Sequence, residues 1–455
     1  MKNPTQHEVI TIARMGVPLI ICHIAIIGMG ATDTIFSGLV STQDLAGLAI
    51  GAAIWGALAV FVMGMCGATA TIAAQYHGGG RYSRIGFQVH QTAWIGVAAI
   101  IMVCLALVTS HLWLPAIQPP GPITDIAWRY LTILSLGSVG FLIFVVLVNA
   151  CEAVGDMAMA MAAYGLLFLL NALFDYLFVF GKLGLPAMGA IGCAWASVVA
   201  YWVAAIGVAL VLQGKAQYRR YHLFTKAWRP HWPTIKKHIA ISVPLAIGSG
   251  GEVFFFTSVA LMVSPFGQVA VAGHQVVINY SSLVYMIPLG FSVAVCIRCA
   301  QLRGAKQFQA ATFSAFTGVK VALAVAVTTI VITVLARTLI AKVYSPDPAV
   351  QQLASKLLLV CVVYQLFDAV QVSSWGGLRG FGDTKIPMFM QLTAYWLCGF
   401  PLGYALANYA ELGVFGFWWG IVVGLMIAAV LLHTRLHWVT KNLTTRKLGC
   451  QKVLD

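Results

Sequence analysis

Residues 13–38 read ARMGVPLIICHIAIIGMGATDTIFSG, an apolar stretch in which only Arg14 and Asp33 are charged. A helix needs about 20 residues of this kind to cross the roughly 30 Å hydrocarbon core of a bilayer. The stretch is longer than the apolar core of a cleavable signal peptide, so it is interpreted as a first transmembrane helix. It also contains the tripeptide VPL at 17–19, which occurs again near the middle of the chain.

The composition extends this interpretation to most of the chain. The 455 residues are 60% hydrophobic and 9% charged, whereas a soluble domain carries about 25% charged residues. So little charge cannot cover the surface of a soluble protein of this size, and lipid is the solvent that removes the difficulty. The sequence therefore predicts an all-α membrane protein with twelve transmembrane helices, at about 13–38, 45–75, 88–114, 124–151, 157–181, 188–213, 239–263, 270–300, 311–336, 349–375, 386–408 and 412–434.

The formal net charge of +14 comes mainly from loops between the apolar runs. Basic proteins often bind nucleic acid, but basic loops between spans are better explained by contact with an anionic membrane surface. With the N-terminus in the cytoplasm, 21 Lys and Arg residues fall on the inner side and 5 on the outer side. The positive-inside rule thus predicts a multi-pass protein of the plasma membrane with both termini cytoplasmic, and no nucleic-acid partner is expected.

An internal repeat relates the two halves of the chain. A shift of 226 residues places the tripeptide at 17–19 on the same tripeptide at 243–245, and a shift of 227 places Asp156 on Asp383. A nearly constant offset over half a chain indicates duplication, and these two acids, at predicted inner loops, are interpreted as turn or helix-cap residues. Because each half has six spans, the repeat predicts two six-helix lobes related by a pseudo-twofold axis along the membrane normal.

The predicted domain boundaries follow from this repeat. They are an N-terminal lobe at 1–213, a basic cytoplasmic loop at 214–238, a C-terminal lobe at 239–440 and a basic cytoplasmic tail at 441–455. Rocking of two such lobes would expose a cavity between them to each side of the membrane in turn. The sequence contains no GxxxxGK[ST], HExxH or GxSxG motif, so neither direct ATP coupling nor enzymatic activity is expected.

Four carboxylates lie inside predicted spans, where an ionised side chain costs about 2.5 kcal/mol or more. They are Asp33, Asp175, Glu252 and Asp368. The alternative, a helix-end carboxylate that reaches water, applies mainly to Asp33. The repeat places the four acids on apolar residues of the other half: Val259, Leu402, Ile26 and Phe141. Since a residue required by the repeated fold would occur in both halves, these acids are interpreted as functional additions.

The acids form one group in each half. Asn171 lies four residues before Asp175, and Tyr364 lies four residues before Asp368, so each pair shares a helix face. A buried carboxyl group can carry a proton at neutral pH, while carboxylates with hydroxyl or carbonyl oxygens can bind Na⁺. The residues permit either use for either group, and an anionic cavity attracts cationic substrates.

Several short motifs along the chain resemble those of the multidrug and toxic compound extrusion (MATE) transporters, in particular the NorM-like branch. They are GMGATDT at 28–34, GEV at 251–253, AGHQ at 272–275, YQLFDAVQ at 364–371 and LRG at 378–380. The resemblance implies a twelve-helix, V-shaped fold of two lobes in a bacterial inner membrane. It also implies a monomer that exports small organic cations in exchange for Na⁺ or H⁺, with no other cofactor.

The resemblance also implies site roles. The first-lobe ion-coupling and substrate group comprises Asp33, Asn171 and Asp175, although NorM-like proteins can have Asn at the position of Asp175. The second-lobe group, with a possible Na⁺ site, comprises Glu252, Tyr364 and Asp368. Substrate contact is expected at Asp33, Glu252 and Asp368. The main alternative is a flippase for lipid-linked precursors of the same wider superfamily, which would be expected to line its cavity with cationic residues. A membrane-embedded enzyme and a channel are further alternatives.

Overall fold

The structure, a computed structural model, describes residues 4–116, 119–226 and 228–451, with side chains as far as residue 443. Within these residues it is helical throughout its ordered elements and has no strand. Numbered by predicted span, the helices are α1 (Pro4–Val40), α2 (Thr42–Gly78), α3 (Tyr82–Val108), α4 (Pro122–Ala153), α5 (Met157–Val179), α6 (Ala190–Gly214), α7 (Trp232–Phe266), α8 (Gln268–Gly304), α9 (Phe308–Tyr344), α10 (Pro348–Gly380), α11 (385–408) and α12 (Val414–Leu443). The predicted all-α membrane fold is confirmed.

Helix α11 is unusual because it consists of three consecutive helical segments. A π-helical segment, Thr393–Gly399, separates Lys385–Leu392 from Phe400–Asn408. Pro401 lacks an N–H group, so the carbonyl one turn earlier loses its donor, and the widened π turn directly precedes this residue. A Cβ added at Gly420 of α12 would lie 2.5 Å from the Cα of Gly403, so glycines allow α11 and α12 to pack backbone to backbone.

The chain folds as two compact units. The first unit comprises residues Ile21–Ala246, and the second comprises the residues up to Ile20 together with those from Ile247 onward. This division differs from the predicted lobes, because the beginning of α1 groups with the second unit and the beginning of α7 with the first. Both changes of unit occur two residues after a proline, Pro18 or Pro244.

Close contacts of glycine show that the repeat is structural. In the first unit, a Cβ added at Gly64 would lie 2.5 Å from the Cα of Ala246. In the second unit, a Cβ added at Gly290 would lie 2.8 Å from the backbone nitrogen of Ile20. The shift of 226 residues carries one pair onto the other, so the same backbone crossing occurs in both units.

A side-chain ion pair also holds the beginning of α1 in the second unit. Arg298 on α8 donates to both carboxylate oxygens of Glu8, with N–O distances of 2.9 and 3.1 Å. A bidentate pair of this kind fixes both groups in a defined orientation. It therefore helps to position the first turns of α1 against α8.

The paired turns at the ends of α4 and α10 share a backbone conformation. Gly155 and Gly382 have φ angles of +86° and +74°, values that favour glycine. Asp156 caps α5 by accepting from the backbone N–H of Met159 at 3.1 Å, as predicted. Asp383 lies in the corresponding turn but pairs instead with Arg435, whose Nε lies 2.7 Å from its carboxylate.

Candidate functional site

The first predicted group comes together inside the first unit. Asp33 is contributed by α1, and Asn171 and Asp175 by α5, and all three side chains are buried. Asp33 and Asp175 belong to a cluster whose possible ligand atoms all lie within 4.8 Å of one another. Asn171 Nδ2 donates to the hydroxyl of Ser197 on α6 at 3.3 Å, which fixes the orientation of its amide.

Cys193 on α6 is the third member of this cluster. Its buried thiol donates to the backbone carbonyl of Asp33 at 3.7 Å. From sequence, Cys193 is one of several isolated cysteines in apolar runs and is interpreted as a packing residue. Cys193 lies four residues before Ser197, so both side chains are on the α6 face that meets Asn171. This spacing is the sequence feature that could have identified Cys193 as part of the cluster.

The first cluster has more buried acceptors than donors. Among the described residues, Asp33 Oδ1, Asn171 Oδ1 and both carboxylate oxygens of Asp175 have no hydrogen-bond partner. Buried polar atoms in folded proteins are normally paired, and an unpaired one is costly. A proton on one carboxyl group, or a small cation between the oxygens, would supply the missing partner.

An aromatic layer borders the first cluster. Tyr201 lies close enough to Asp33 to interact electrostatically with it. The Tyr201 ring contacts Trp55 and Phe141, with centroid distances of 6.1 and 5.2 Å. Apolar rings of this size exclude water from one side of the carboxylates, which strengthens their interaction with any bound cation.

The second predicted group comes together inside the second unit. Tyr364 and Asp368 lie on α10 and are buried, while Glu252 lies on α7 and is partly exposed. The carboxylates of Glu252 and Asp368 are close enough to interact electrostatically. Tyr364 and Asp368 also line a small cavity of about 10 Å³, to which α8 contributes Tyr285 and α9 contributes Thr329. This volume is enough for about one water molecule or one small ion.

The π-helical segment of α11 supplies two aromatic residues next to Glu252. Tyr395 stacks on Phe255 at a centroid distance of 5.2 Å. Trp396 stacks on Phe254 at 5.1 Å, and its Nε1 donates to the carbonyl of Gly251 at 3.3 Å. The widened turn thus orients both rings toward the part of α7 that carries the Glu252 carboxylate. Short π-helical segments of this kind frequently occur at functional sites.

The sequence profile of the MatE family matches this chain twice, at residues 18–177 and 244–405. The chain belongs to the MatE family. The two matches begin 226 residues apart, which is the offset of the repeat.

One relative with a similar sequence is the Multidrug resistance protein MdtK of Yersinia pseudotuberculosis. It is 36% identical over 442 residues, which cover 96% of this chain and 97% of the relative. MdtK of Yersinia enterocolitica is 35% identical over 440 residues, with 96% of each chain covered.

Solved MATE structures have the same fold. An outward-facing multidrug resistance MATE family transporter of the MOP superfamily superposes with a TM-score of 0.88 at 17% identity, covering 97% of each chain. The eukaryotic MATE transporter AtDTX14 gives a TM-score of 0.86 at 19% identity, covering 98% of this chain and 100% of that one. At these identities the likeness concerns the fold alone.

Two further buried polar residues of this MatE chain were given no role by the sequence reasoning, although His274 belongs to the AGHQ motif at 272–275. Glu152 lies at the end of α4 and is 7% exposed. From sequence it falls just outside the predicted span 124–151, beside an inner loop, so its burial was not expected. His274 on α8 is 1% exposed, and its ring meets Trp418 edge-on at a centroid distance of 5.7 Å. Neither ring nitrogen of His274 has a hydrogen-bond partner among the described residues. A histidine inside an apolar span is itself a signal that could have identified this position.

Proposed function

We propose that this MatE protein is a secondary active multidrug efflux antiporter, which exports small organic cations in exchange for Na⁺ or H⁺ by alternating access of its two lobes. The observation that carries the proposal is the group of unpartnered, buried oxygens at Asp33, Asn171 and Asp175. Negative charge in an apolar interior requires a compensating cation. A site that a coupling ion and a cationic substrate both neutralise links the transport of one to the transport of the other.

The two carboxylate groups support different roles. In the first unit, Asp33, Asn171 and Asp175 form a compact, buried cluster that suits a proton or a small cation. In the second unit, Asp368 and Tyr364 line a cavity and present oxygen atoms, the ligand type that Na⁺ prefers. We assign ion coupling to both groups and substrate contact to the three acids Asp33, Glu252 and Asp368.

The names of the relatives support multidrug export. The curated relatives at 35–36% identity are named multidrug resistance proteins, and they match this chain over nearly its whole length. The proposed setting is a bacterial inner membrane with both termini in the cytoplasm, and a monomer as the functional form. The positive-inside pattern supports this orientation.

A flippase for lipid-linked precursors is the second candidate. A MOP superfamily transporter from Pyrococcus furiosus, described with a binding pocket of reverse polarity, has the same fold with a TM-score of 0.87 at 17% identity. The fold therefore does not decide the substrate, whereas the charge of the buried residues bears on it. The buried ionisable residues of both clusters are acidic, which favours a cationic substrate over an anionic lipid phosphate.

The decisive experiment is ethidium efflux from proteoliposomes under a Na⁺ gradient and, separately, under a pH gradient. Parent protein is compared with Asp33→Asn and Glu252→Gln. Matched controls are Asp125→Asn and Glu411→Gln, which alter exposed carboxylates by the same chemistry. We expect at least one gradient to drive efflux, both site variants to impair it and both controls to leave it unchanged.

The pattern of loss identifies the coupling site. Efflux that needs Na⁺ and is abolished by Glu252→Gln would assign coupling to the second group. Efflux that needs a pH gradient and is abolished by Asp33→Asn would assign the proton to the first. If neither gradient moves ethidium and the site variants match their controls, the antiporter proposal fails and the flippase gains support.

A further inference from the structure

A groove of about 510 Å³ lies where α3 and α7 begin. Six of its lining residues carry polar or charged side chains: Tyr76, Arg81, Arg84, Gln88, His231 and Thr234. All of them belong to the first unit. The charged residues of the groove are arginines, whereas those of the two clusters are carboxylates. The groove is therefore chemically different from both clusters.

The two arginines of the groove are unpaired. Arg81 and Arg84 are exposed, and within the described part of the chain their side chains take part in no ion pair and no hydrogen bond. Arg298 and Arg435, by contrast, are each bound to a carboxylate. A free guanidinium group matches the geometry of phosphate and can bind it through two donors. Two such groups line the same groove, so an anion bound there could contact both.

The floor of the groove is a buried polar network. Gln88 is 5% exposed, and its Oε1 lies 2.8 Å from Nε2 of His238. The other ring nitrogen of His238 lies 2.6 Å from the hydroxyl of Thr92. When the hydroxyl donates to Nδ1, Nε2–H donates to the glutamine oxygen. The amide Nε2 of Gln88 then has no acceptor among the described residues and remains available as a donor.

The wall of the groove is held by a second buried glutamine. Gln91 is fully buried; it accepts from the backbone N–H of His231 at 2.7 Å and donates to the carbonyl of Arg229 at 3.0 Å. These bonds fix the chain just before α7 against α3. Because the groove is formed by the protein alone, a ligand would not need to order it on binding.

The position of the groove along the helices points to a lipid rather than to a soluble anion. Both α3 and α7 begin here, so the groove lies at the level of the membrane surface. Trp94 donates through Nε1 to the carbonyl of Trp228 at 3.1 Å, and Phe87 meets the Trp228 ring at 5.3 Å. Tryptophans with nearby basic residues are typical of the headgroup region of a bilayer.

We infer that this groove binds the headgroup of an anionic phospholipid, with the phosphate held by Arg81 and Arg84 and a polar headgroup atom held by Gln88. Phe87, which lines the groove and packs against Trp228, contacts the glycerol and upper acyl region. A bound lipid bridges α3 and the beginning of α7, and it stabilises the first unit without taking part in ion coupling.

The test is native mass spectrometry of the full-length protein extracted from vesicles of phosphatidylglycerol and phosphatidylcholine. The groove variant combines Arg81→Gln with Arg84→Gln. The control variant combines Arg219→Gln with Lys237→Gln, which removes the same charge from exposed residues outside the groove lining. We expect the parent and the control to retain phosphatidylglycerol in preference to phosphatidylcholine. The groove variant should retain about fivefold less for each arginine removed, the contribution of one charge near an anionic surface.

Three outcomes would overturn the inference. Equal losses from both variants would mean that phosphatidylglycerol follows the overall surface charge. Complete displacement of the lipid by added inorganic phosphate would identify a site for a soluble anion. Unchanged retention in the groove variant would exclude the arginines. A third variant, Arg81→Lys with Arg84→Lys, separates charge from geometry and should retain an intermediate amount of phosphatidylglycerol. Efflux plays no part in these measurements, so they remain informative whether or not the antiporter proposal holds.

Discussion

The two units repeat one backbone arrangement but differ in their buried acids. In the first unit, Asp33, Asp175 and Cys193 converge to within 4.8 Å of one another inside a buried cluster. In the second, Asp368 lines a small cavity of about 10 Å³, and Glu252 on α7 lies close enough to Asp368 to interact with it electrostatically. The glycine contacts of Gly64 and Gly290, in contrast, match from unit to unit.

This difference separates what the fold needs from what transport needs. Close backbone contacts recur in both units because the repeated helices cross at the same glycine, where a side chain would not fit. The carboxylates occur once each because two equal ion sites are not required by the fold. The following predictions test that separation, beginning with the largest expected effect.

Asp33→Asn is expected to reduce the initial rate of ethidium efflux by about a hundredfold. That factor corresponds to roughly 2.5–3 kcal/mol, the contribution of an ionisable group at mid-membrane. Efflux from proteoliposomes measures it, with Asp125→Asn as the exposed control. A rate within about twofold of the parent would remove the first cluster from the mechanism.

Gly64→Ala and Gly290→Ala are expected to destabilise the protein by similar amounts, about 2 kcal/mol each. In both, the new methyl group meets backbone atoms at less than 3 Å. Thermal unfolding in detergent measures the shift, and Gly56→Ala is the control because a Cβ there meets nothing within 4 Å. Clearly unequal shifts would contradict the structural repeat.

Glu252→Gln is expected to reduce efflux by about tenfold, less than Asp33→Asn, because Glu252 is partly exposed and water can compensate part of the change. Asp368→Asn, in a buried position, should cost more than Glu252→Gln. Dose–response curves for Na⁺ measure both variants against Glu411→Gln. A larger loss of efflux for Glu252→Gln than for Asp368→Asn would mean that the carboxylate on α7, and not the one on α10, is the more important for coupling.

Cys193→Ala is expected to reduce efflux by no more than about fivefold, the equivalent of one neutral hydrogen bond of about 1 kcal/mol. The loss should follow from a less firmly held backbone at Asp33. Cys193→Ser retains a donor and should recover most of the rate, and Cys398→Ala serves as a control in the second unit. An inactive serine variant would mean that the size of sulfur, and not its hydrogen bond, is important.

The sequence predicted the elements of this fold well because each depends on local composition. The length and polarity of the apolar runs were sufficient for eleven of the twelve predicted spans, because eleven helices of the described residues are long and apolar enough to cross a membrane. The predicted eleventh span is divided into three short helical segments and does not meet that criterion. The constant offset was sufficient for the repeat. The grouping of Asn171 with Asp175, and of Tyr364 with Asp368, followed from helical spacing. All six predicted site residues lie in the two clusters described, although their roles stay predictions.

Other features depend on tertiary contacts that spacing does not contain. Cys193 joins the first cluster because of the rotation of α6, which no single-helix pattern specifies. The π-helical segment of α11 depends on how α11 packs against the glycines of α12, although Pro401 marks its end. Predicting the change of unit after Pro18 and Pro244 would require knowing which helices the first turns of α1 and α7 contact.

That change of unit has a consequence for synthesis. The ribosome makes the first turns of α1 before the spans that follow them, yet Glu8 at their beginning pairs with Arg298 on α8. The second unit therefore cannot be completed until most of the polypeptide has been inserted. Until then, the first turns of α1 lie in the bilayer without their contacts to α8. The first unit has a shorter wait, because its last segment ends at Ala246. Assembly of this protein thus has a built-in order, in which the first unit closes before the second.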